Sequence, residues 1–411
     1  EQIESMVKSM ASHFLTVLKE EDFSIQQICQ AFKIEDVYSE TVSKENMFIE
    51  TSKLKVEHVN TILDVPKEQW NNLLGNRGTF DWNGLNLLES TFVDNNLPEE
   101  NWDFDYITIK DENDKVVLAT FLTTAITKDD MLSPAEISYE IEVKRQDAPY
   151  FYSSKTLQMG SLLTEGNHLY LDKDSQSWKE ALKIFLIKVA EIQESNNASN
   201  IMLRDLSMVD KEMDDLMINN GFIKMEMPES NGIKNMDWLD DNSFRSTLSK
   251  RSRKHFNQDV INNKDKFQTK IVKDYSEEDL KKYYDLYLNV KNNNLALNTY
   301  TFPFKLFKKF AENPNWELMT LSLKPEFTEE VNGEPLAVCI IHKGLDKLTF
   351  MLIGMDYDSN KEHKTYRQAM YRFLLRAREL GYTQVDLGYS SNFEKRKFGA
   401  TQTQSCAYMQ V

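Results

Sequence analysis

The period of the apolar residues changes along the chain. Near the start, Ile3, Met6, Val7, Met10, Phe14, Leu15 and Leu18 recur at helical spacing, one face of an amphipathic helix. Ser24 with Gln27 then forms a capping-box pattern that opens a second helix through Ile34. This N-terminal helical segment, 1–63, carries no catalytic signature and reads as a core-covering or docking piece. From about Pro66 helices and strands alternate. Pro66–Leu74 and Gly84–Phe92 are predicted helices. Tyr106–Lys110 and Val116–Ile126 are predicted strands, joined as an antiparallel hairpin by the turn Asp111-Glu112-Asn113-Asp114. A further strand is predicted at Ile137–Val143, where apolar and polar residues alternate. An apolar segment around Leu157–Leu163, a helix Trp178–Ile192, a strand Ile201–Leu206 and the pair Gly221-Phe222 follow.

The same order then recurs. Phe304–Phe310 suits a helix; Trp316–Leu323, Leu336–His342 and Leu348–Met355 suit strands. A helix over Thr365–Glu379 stops at Gly381, and Gln384–Tyr389 is a short strand ahead of Phe398-Gly399. Helix, short strand and a Gly/Phe pair thus occur twice, a repeat of pattern rather than of identity. The expected fold class is mixed α/β (α+β), with domains at 64–243 and 244–411 behind the N-terminal segment.

The length of 411 residues suits two or three compact domains. Hydrophobic residues make up 41% and aromatics 11%, enough to offset the entropy of folding. The formal net charge of −16 excludes indiscriminate binding of DNA, other nucleic acid or anionic lipid. Cys29, Cys339 and Cys406 are odd in number and far apart, which suits a reducing compartment, with the cytoplasm as the default. The most apolar stretch, Val116–Ile126, is too short to span a bilayer. The chain opens at Glu1 without an initiator Met and reads as the end of a longer polypeptide.

Motifs with strong positional chemistry are missing. The six histidines show no i, i+4 pair for a metal, and there is no Gly-x-Ser-x-Gly elbow, P-loop or Gly-x-Gly-x-x-Gly turn. One segment opposes the charge of the chain: Phe244–Lys273 holds nine basic residues, among them Arg245, Lys250, Arg251, Arg253 and Lys254, against Asp259 and Asp265. As an amphipathic helix it would turn Phe244, Leu248 and Phe256 inward and its cations outward, either toward a phosphate or carboxylate or simply into water.

Phe244-Arg-Ser-Thr-Leu-Ser-Lys-Arg-Ser-Arg-Lys-His-Phe256, followed by Val385-Asp-Leu-Gly-Tyr389 and Lys395-Arg-Lys-Phe-Gly399, resembles the acetyltransferase-like family of the GNAT superfamily related to the Fem peptidyltransferases. The resemblance spans roughly 103–411 and rests on short motifs from Phe244 onward. It implies two tandem GNAT-like domains with mixed, mainly antiparallel sheets, the first degenerate and the second the active unit. In such a sheet the central strands part to admit an acyl donor, whose carbonyl is held by backbone N–H groups while an amine attacks. The implied activity is N-acyl transfer from a thioester, acyl-CoA or an acyl carrier protein, to a small-molecule or lipid amine. The alternatives are a Fem-like aminoacyl-tRNA-dependent transferase and a non-catalytic interaction module of a larger polypeptide.

One departure bears on the donor. Coenzyme A-dependent relatives carry a glycine-rich turn at a helix N-terminus for the pyrophosphate, whereas Asp356–Arg367 has no glycine. The resemblance therefore puts Met355, Lys361, Lys364 and Arg367 at the donor site, with charge in place of bare amides. It makes Asp386 or Glu394 the acceptor of the amine proton and Tyr389 or Tyr408 the group that returns one. Arg251, Lys395 and Lys397 become binders of an anionic substrate, and no metal is implied. The plainer roles are a turn tie for Asp386, strand packing for Tyr408 and a solvated Lys395. Arg204 and Asp205 read as a structural ion pair.

Overall fold

The structure, a computed structural model, describes Ile49 and residues 52–328 and 333–410. The helices expected over 3–18 and 24–34 lie outside the described residues. The compact unit described below is Val56–Val411.

It is built on two sheets. The first contains β1 (Lys55–Val59), β2 (Asp103–Lys110), β3 (Val116–Lys128), β4 (Ser153–Met159), β5 (Tyr170–Leu171), β6 (Asn200–Ser207) and β7 (Ile223–Glu226). The second contains β8 (Ser230–Ile233), β9 (Phe267–Ile271), β10 (Trp316–Leu323), β11 (Ala337–Lys343), β12 (Leu348–Met355), β13 (Val385–Gly388) and β14 (Thr401–Thr403). The last strand, β15 (Ser405–Gln410), returns to the first sheet, whose order is β1-β2-β3-β4-β6-β15-β7 with β5 on β3; the second runs β14-β8-β13-β12-β11-β10-β9. The chain therefore crosses between sheets twice, after β7 and after β14. Gln404 ties the two crossings by donating to the Met227 carbonyl. β4 with β6 and β12 with β13 are parallel, whereas β2/β3, β3/β4, β6/β15, β9/β10, β10/β11 and β11/β12 are antiparallel. The repeat read from the sequence is thus a pair of mixed α/β halves.

The helices are α1 (Lys67–Trp70), α2 (Trp82–Thr91), α3 (Ala135–Arg145), α4 (Trp178–Ser195), α5 (Lys211–Asn219), α6 (Asp241–Thr247), α7 (Lys250–His255), α8 (Glu277–Asn293), α9 (Phe304–Glu312), α10 (Tyr357–His363), α11 (Thr365–Glu379) and α12 (Asn392–Arg396). Two of the cores made by their buried faces bear on the site. An aromatic one runs from Trp70, Phe80, Phe92 and Phe121 into Phe302, Phe307 and Trp316, so residues of both halves share it. Each such ring removed from water contributes about 1.5–3 kcal/mol, which binds the halves into one body. The other core gathers Trp238, Phe244, Phe256, Phe373 and Phe398 around α11.

The strand expected over Ile137–Val143 is helix α3. Its alternation is misleading: Ile137, Tyr139 and Val143 stay exposed, while Ser138 and Arg145 are buried. Pro134 opens the helix, and Arg145 near its end is bonded to Asp130 at 2.6 Å. That polar anchoring outweighs the apolar pattern. The basic segment divides into α6 and α7, because Leu248 is extended and Ser249 caps α7. Phe244, Leu248 and Phe256 are all buried, as the amphipathic reading expects.

Candidate active site

β12 and β13 pair only at Leu348 with Val385 and at Thr349 with Asp386. Beyond that point they part. β12 continues to Met355, held by β11 on its other edge, with Met351 bulged between Phe350 and Leu352. The opening leads into a cavity of about 730 Å³ lined by Met351, Leu352 and Ile353 from β12 and by Leu387, Gly388 and Tyr389 beyond it. Its volume suits a drug-sized ligand.

Helix α8 forms one wall through Tyr287, Val290 and Lys291. It opens with a capping box in which Ser276 and Asp279 bond each other's backbone amides. It lies close to β12 because residue 354 is glycine: a Cβ there would fall 2.4 Å from the Tyr287 nitrogen. Loops of the first half close the far side with Met131, Leu132, Leu162, Leu163 and Glu165. Much of the wall is thus apolar; besides Lys291, Asn293 and Asn294 on and after α8, polar groups form two larger clusters.

The first is the floor. Glu165 accepts from the Tyr389 amide at 3.1 Å, while its Oε2 is sealed from solvent without a hydrogen-bond partner. Burial, then the nearby charge of Asp386, push its carboxyl well above the usual range. Lys395 is 3% exposed and donates to the Gly388 and Tyr389 carbonyls at 2.9 and 2.6 Å. Burial lowers its pKa, opposed by the charges of Glu165 and Asp386. The Tyr389 hydroxyl donates to Asp205, and burial with that carboxylate drives its pKa far upward. Arg204 donates to Asp205 at 3.0 Å and to the Thr164 carbonyl at 2.7 Å. It thereby stitches β6 to the loop after β4, at the place where the second sheet stands open. Asp205, Ser390 and Ser391 all have positive φ, a clustering of backbone strain around this floor.

The second polar place is the mouth, where Lys361, Lys364, Tyr366, Arg367 and Glu394 line the cavity. Lys364 takes a left-handed conformation between α10 and α11, a role glycine often fills. Arg367 grips Glu394 through two bonds of 2.6 and 3.0 Å and also donates to Asp259. Burial alone would raise the Glu394 pKa, but its bonds to Arg367 and Lys397 hold it below the usual range.

Of the residues singled out in the sequence, Tyr389, Glu394, Met355, Lys361, Lys364, Arg367 and Lys395 line the cavity together. Asp386 sits just behind the floor, paired with Lys347 at 3.2 Å. Lys397 is bound to Glu394 at 2.8 Å. Arg251 is exposed on α7. Tyr408 is not brought to the cavity: it lies fully buried in β15 of the first sheet and donates to Asp214. The sequence reading missed Glu165, a lone carboxylate in a loop with no motif around it. It also missed α8, although Ser276-Glu-Glu-Asp279 is a legible start signal. Among the described residues no cluster of His, Cys, Asp and Glu is arranged to hold a metal ion, and no helix is long and apolar enough to cross a membrane.

No protein-family model matches the chain, and no curated protein matches it. Solved structures do. FemX is similar with a TM-score of 0.51 at 12% identity, over 85% of this chain and 96% of that one. A tandem GNAT protein from the clavulanic acid biosynthesis pathway gives 0.51 at 9%, over 87% and 98%. Saccharomyces cerevisiae N-myristoyltransferase with bound myristoyl-CoA gives 0.50 at 9%, over 86% and 78%. At such identities the fold is what is shared, and the fold of this chain is two GNAT-like halves in tandem, similar to the tandem GNAT protein and to FemX.

Proposed function

We propose that the chain is an N-acyltransferase that moves an acyl group from a thioester to an amine. The observation that carries this reading is the parting of β12 and β13 after one short parallel ladder, with an apolar cavity at the opening. A thioester lying in the gap would set its carbonyl against main-chain donors, with the acyl chain along Met351, Ile353 and Val290. Oxyanion stabilisation and positioning then supply most of the acceleration, which explains the absence of a motif-rich active site. That the myristoyltransferase of the same fold holds myristoyl-CoA supports a long apolar acyl group.

Glu165 suits the proton transfer. The amine nitrogen forms its bond to the carbonyl carbon as its proton passes to the Glu165 carboxylate. Collapse of the tetrahedral intermediate breaks the C–S bond, and Glu165 returns the proton to the departing thiolate. A carboxyl with a raised pKa suits both directions. Tyr389 keeps its hydroxyl proton and holds Glu165 through its amide, and Lys395 fixes the carbonyl end of β13. Lys361 and Lys364 lend positive charge to the mouth beside Met355, and Arg367 and Lys397 shape it through Glu394.

The test is thiol release from S-decanoyl-pantetheine and decanoyl-CoA with a panel of amines, alongside thermal shift by each thioester. Release that depends on the amine, with a shift, is the expected result. No shift and no release with either thioester would remove the reading.

A further inference from the structure

The donor's anionic part finds no open cradle at the cavity mouth. At the start of α11 the Tyr366 amide is bonded to Asn360 Oδ1 at 3.0 Å, and the Arg367 and Gln368 amides to the Lys364 carbonyl at 2.9 and 3.1 Å. The Arg367 guanidinium is divided between Glu394 and Asp259. The Lys364 ammonium donates to the Lys361 carbonyl at 3.0 Å, and Lys361 pairs with Asp358 at 3.2 Å. A diphosphate seated here would have to displace bonds that the protein already makes. Of these three cations only Lys364 lacks a carboxylate partner among the described residues, so most of the uncompensated charge lies elsewhere.

The available charge lies on α6 and α7. Arg245, Lys250, Arg251, Arg253 and Lys254 are all exposed. Among the described residues none of the five has a carboxylate within 4.0 Å, whereas Lys264 nearby is paired with Asp241. The ridge is firmly held: Phe244, Leu248 and Phe256 anchor it in the core around α11. It is also joined to the mouth. The π-helical turn Phe256–Ile261 follows α7, its Asp259 bonds Arg367, and the Asp259 and Val260 carbonyls accept from Gln368 at 2.9 and 3.0 Å.

We infer that this ridge docks an acidic carrier protein, which presents its acyl group on a phosphopantetheine arm through the mouth. The inference rests on the transferase reading and specifies its donor. A carrier keeps its charge on its own surface and sends in only a slender arm, so the mouth needs no diphosphate cradle. A five-cation surface on two short helices matches an acidic helix of a small protein. A nucleic acid fits less well. The net charge of −16 repels an extended polyanion, and the ring side chains Phe244 and Phe256 are buried, so neither is available to stack on a base.

The experiment compares three probes on the full chain by titration: S-decanoyl-pantetheine, decanoyl-CoA and an acidic acyl carrier protein bearing a decanoyl group. The carrier is expected to bind at least about tenfold more tightly than the pantetheine thioester, with affinity falling steeply from about 50 to about 300 mM salt. The triple variant K250E/R253E/K254E, all surface positions, is expected to lose about tenfold or more of carrier affinity. Its melting temperature and its affinity for the pantetheine thioester should match the wild type. A carrier that binds no better than pantetheine, or equally well to the variant, overturns the docking surface. So does decanoyl-CoA binding more tightly than the carrier in both proteins, or tRNA displacing the carrier at equal concentration. Failure of S-decanoyl-pantetheine to bind the wild type would instead strike the cavity, and the transferase reading with it.

Discussion

Glu165, in the loop after β4, accepts a hydrogen bond from the backbone amide of Tyr389 at 3.1 Å. A carboxylate of the first half is thereby planted at the end of a strand of the second, where β13 leaves β12. Residue 388 is glycine with φ +73°, and a Cβ there would lie 3.1 Å from Glu165 Oε1. The site is therefore composite, and neither half contains all of it.

Replacing Glu165 by Gln keeps the shape and removes the base. Acyl transfer should fall by about 10²–10⁴, the usual worth of a positioned general base, with thioester binding unchanged. The wild-type rate should rise with pH through a limb set above the ordinary carboxylate range, and E165Q should lose that limb. Stability gives a second readout. With its pKa raised by burial, folded Glu165 holds a proton that the unfolded chain has already released, so wild-type stability declines as pH climbs from the ordinary glutamate value toward the raised one. E165Q escapes that decline and should be the more stable protein in urea at pH 8. Equal transfer rates in the two proteins would exclude Glu165 as the base.

Arg367 should behave as a structural clamp. Its guanidinium holds Glu394 bidentately and also Asp259; the side chains are only partly shielded, so the cost of Arg367→Met is set at about 1–3 kcal/mol in urea unfolding. Donor affinity should change by less than about threefold, because this charge is already neutralised within the protein. A large loss of affinity with full stability would make Arg367 a ligand for the donor.

What could be read in advance follows from which forces are local. Trp316–Leu323, Leu348–Met355 and Thr365–Glu379 have in the structure the limits expected from the sequence, because each is a strongly patterned run. The placement of β15 beside β6 depends on pairings such as Tyr408 with Leu203, about two hundred residues apart, which no local pattern encodes. Helix α3 was hidden by its exposed Ile137, Tyr139 and Val143. Glu165 was hidden because its importance lies in what surrounds it in space. The fold class was legible from the repeat, and the second-half side of the cavity from Tyr389, Glu394 and Lys395; the first-half side was not.

Tyr408 tests that division. Its hydroxyl donates to Asp214, whose other partner is Lys224 at 2.8 Å, and it lies apart from the cavity. Tyr408→Phe should cost about 1–2 kcal/mol through a lost hydrogen bond to a charged group, with the transfer rate within about twofold of wild type. A large loss of rate with unchanged stability would return Tyr408 to the chemistry.

Gly354 sets how closely α8 approaches the sheet, and so the width of the cavity. It pairs with Val338 near one end of the β11/β12 ladder, where a side chain would ordinarily help packing. A methyl group here meets backbone on one side, the Tyr287 nitrogen at 2.4 Å and the Leu286 carbonyl carbon at 2.6 Å. Backbone cannot rotate away as a side chain can, so α8 must move outward. Gly354→Ala should therefore cost at least about 1–3 kcal/mol. The same shift carries Val290 and Lys291 away from Met351 and Ile353, so affinity for S-decanoyl-pantetheine should fall together with stability. If affinity fell while the melting temperature held, the methyl would be blocking the cavity directly. If both held, α8 would not be the wall that gives the cavity its width.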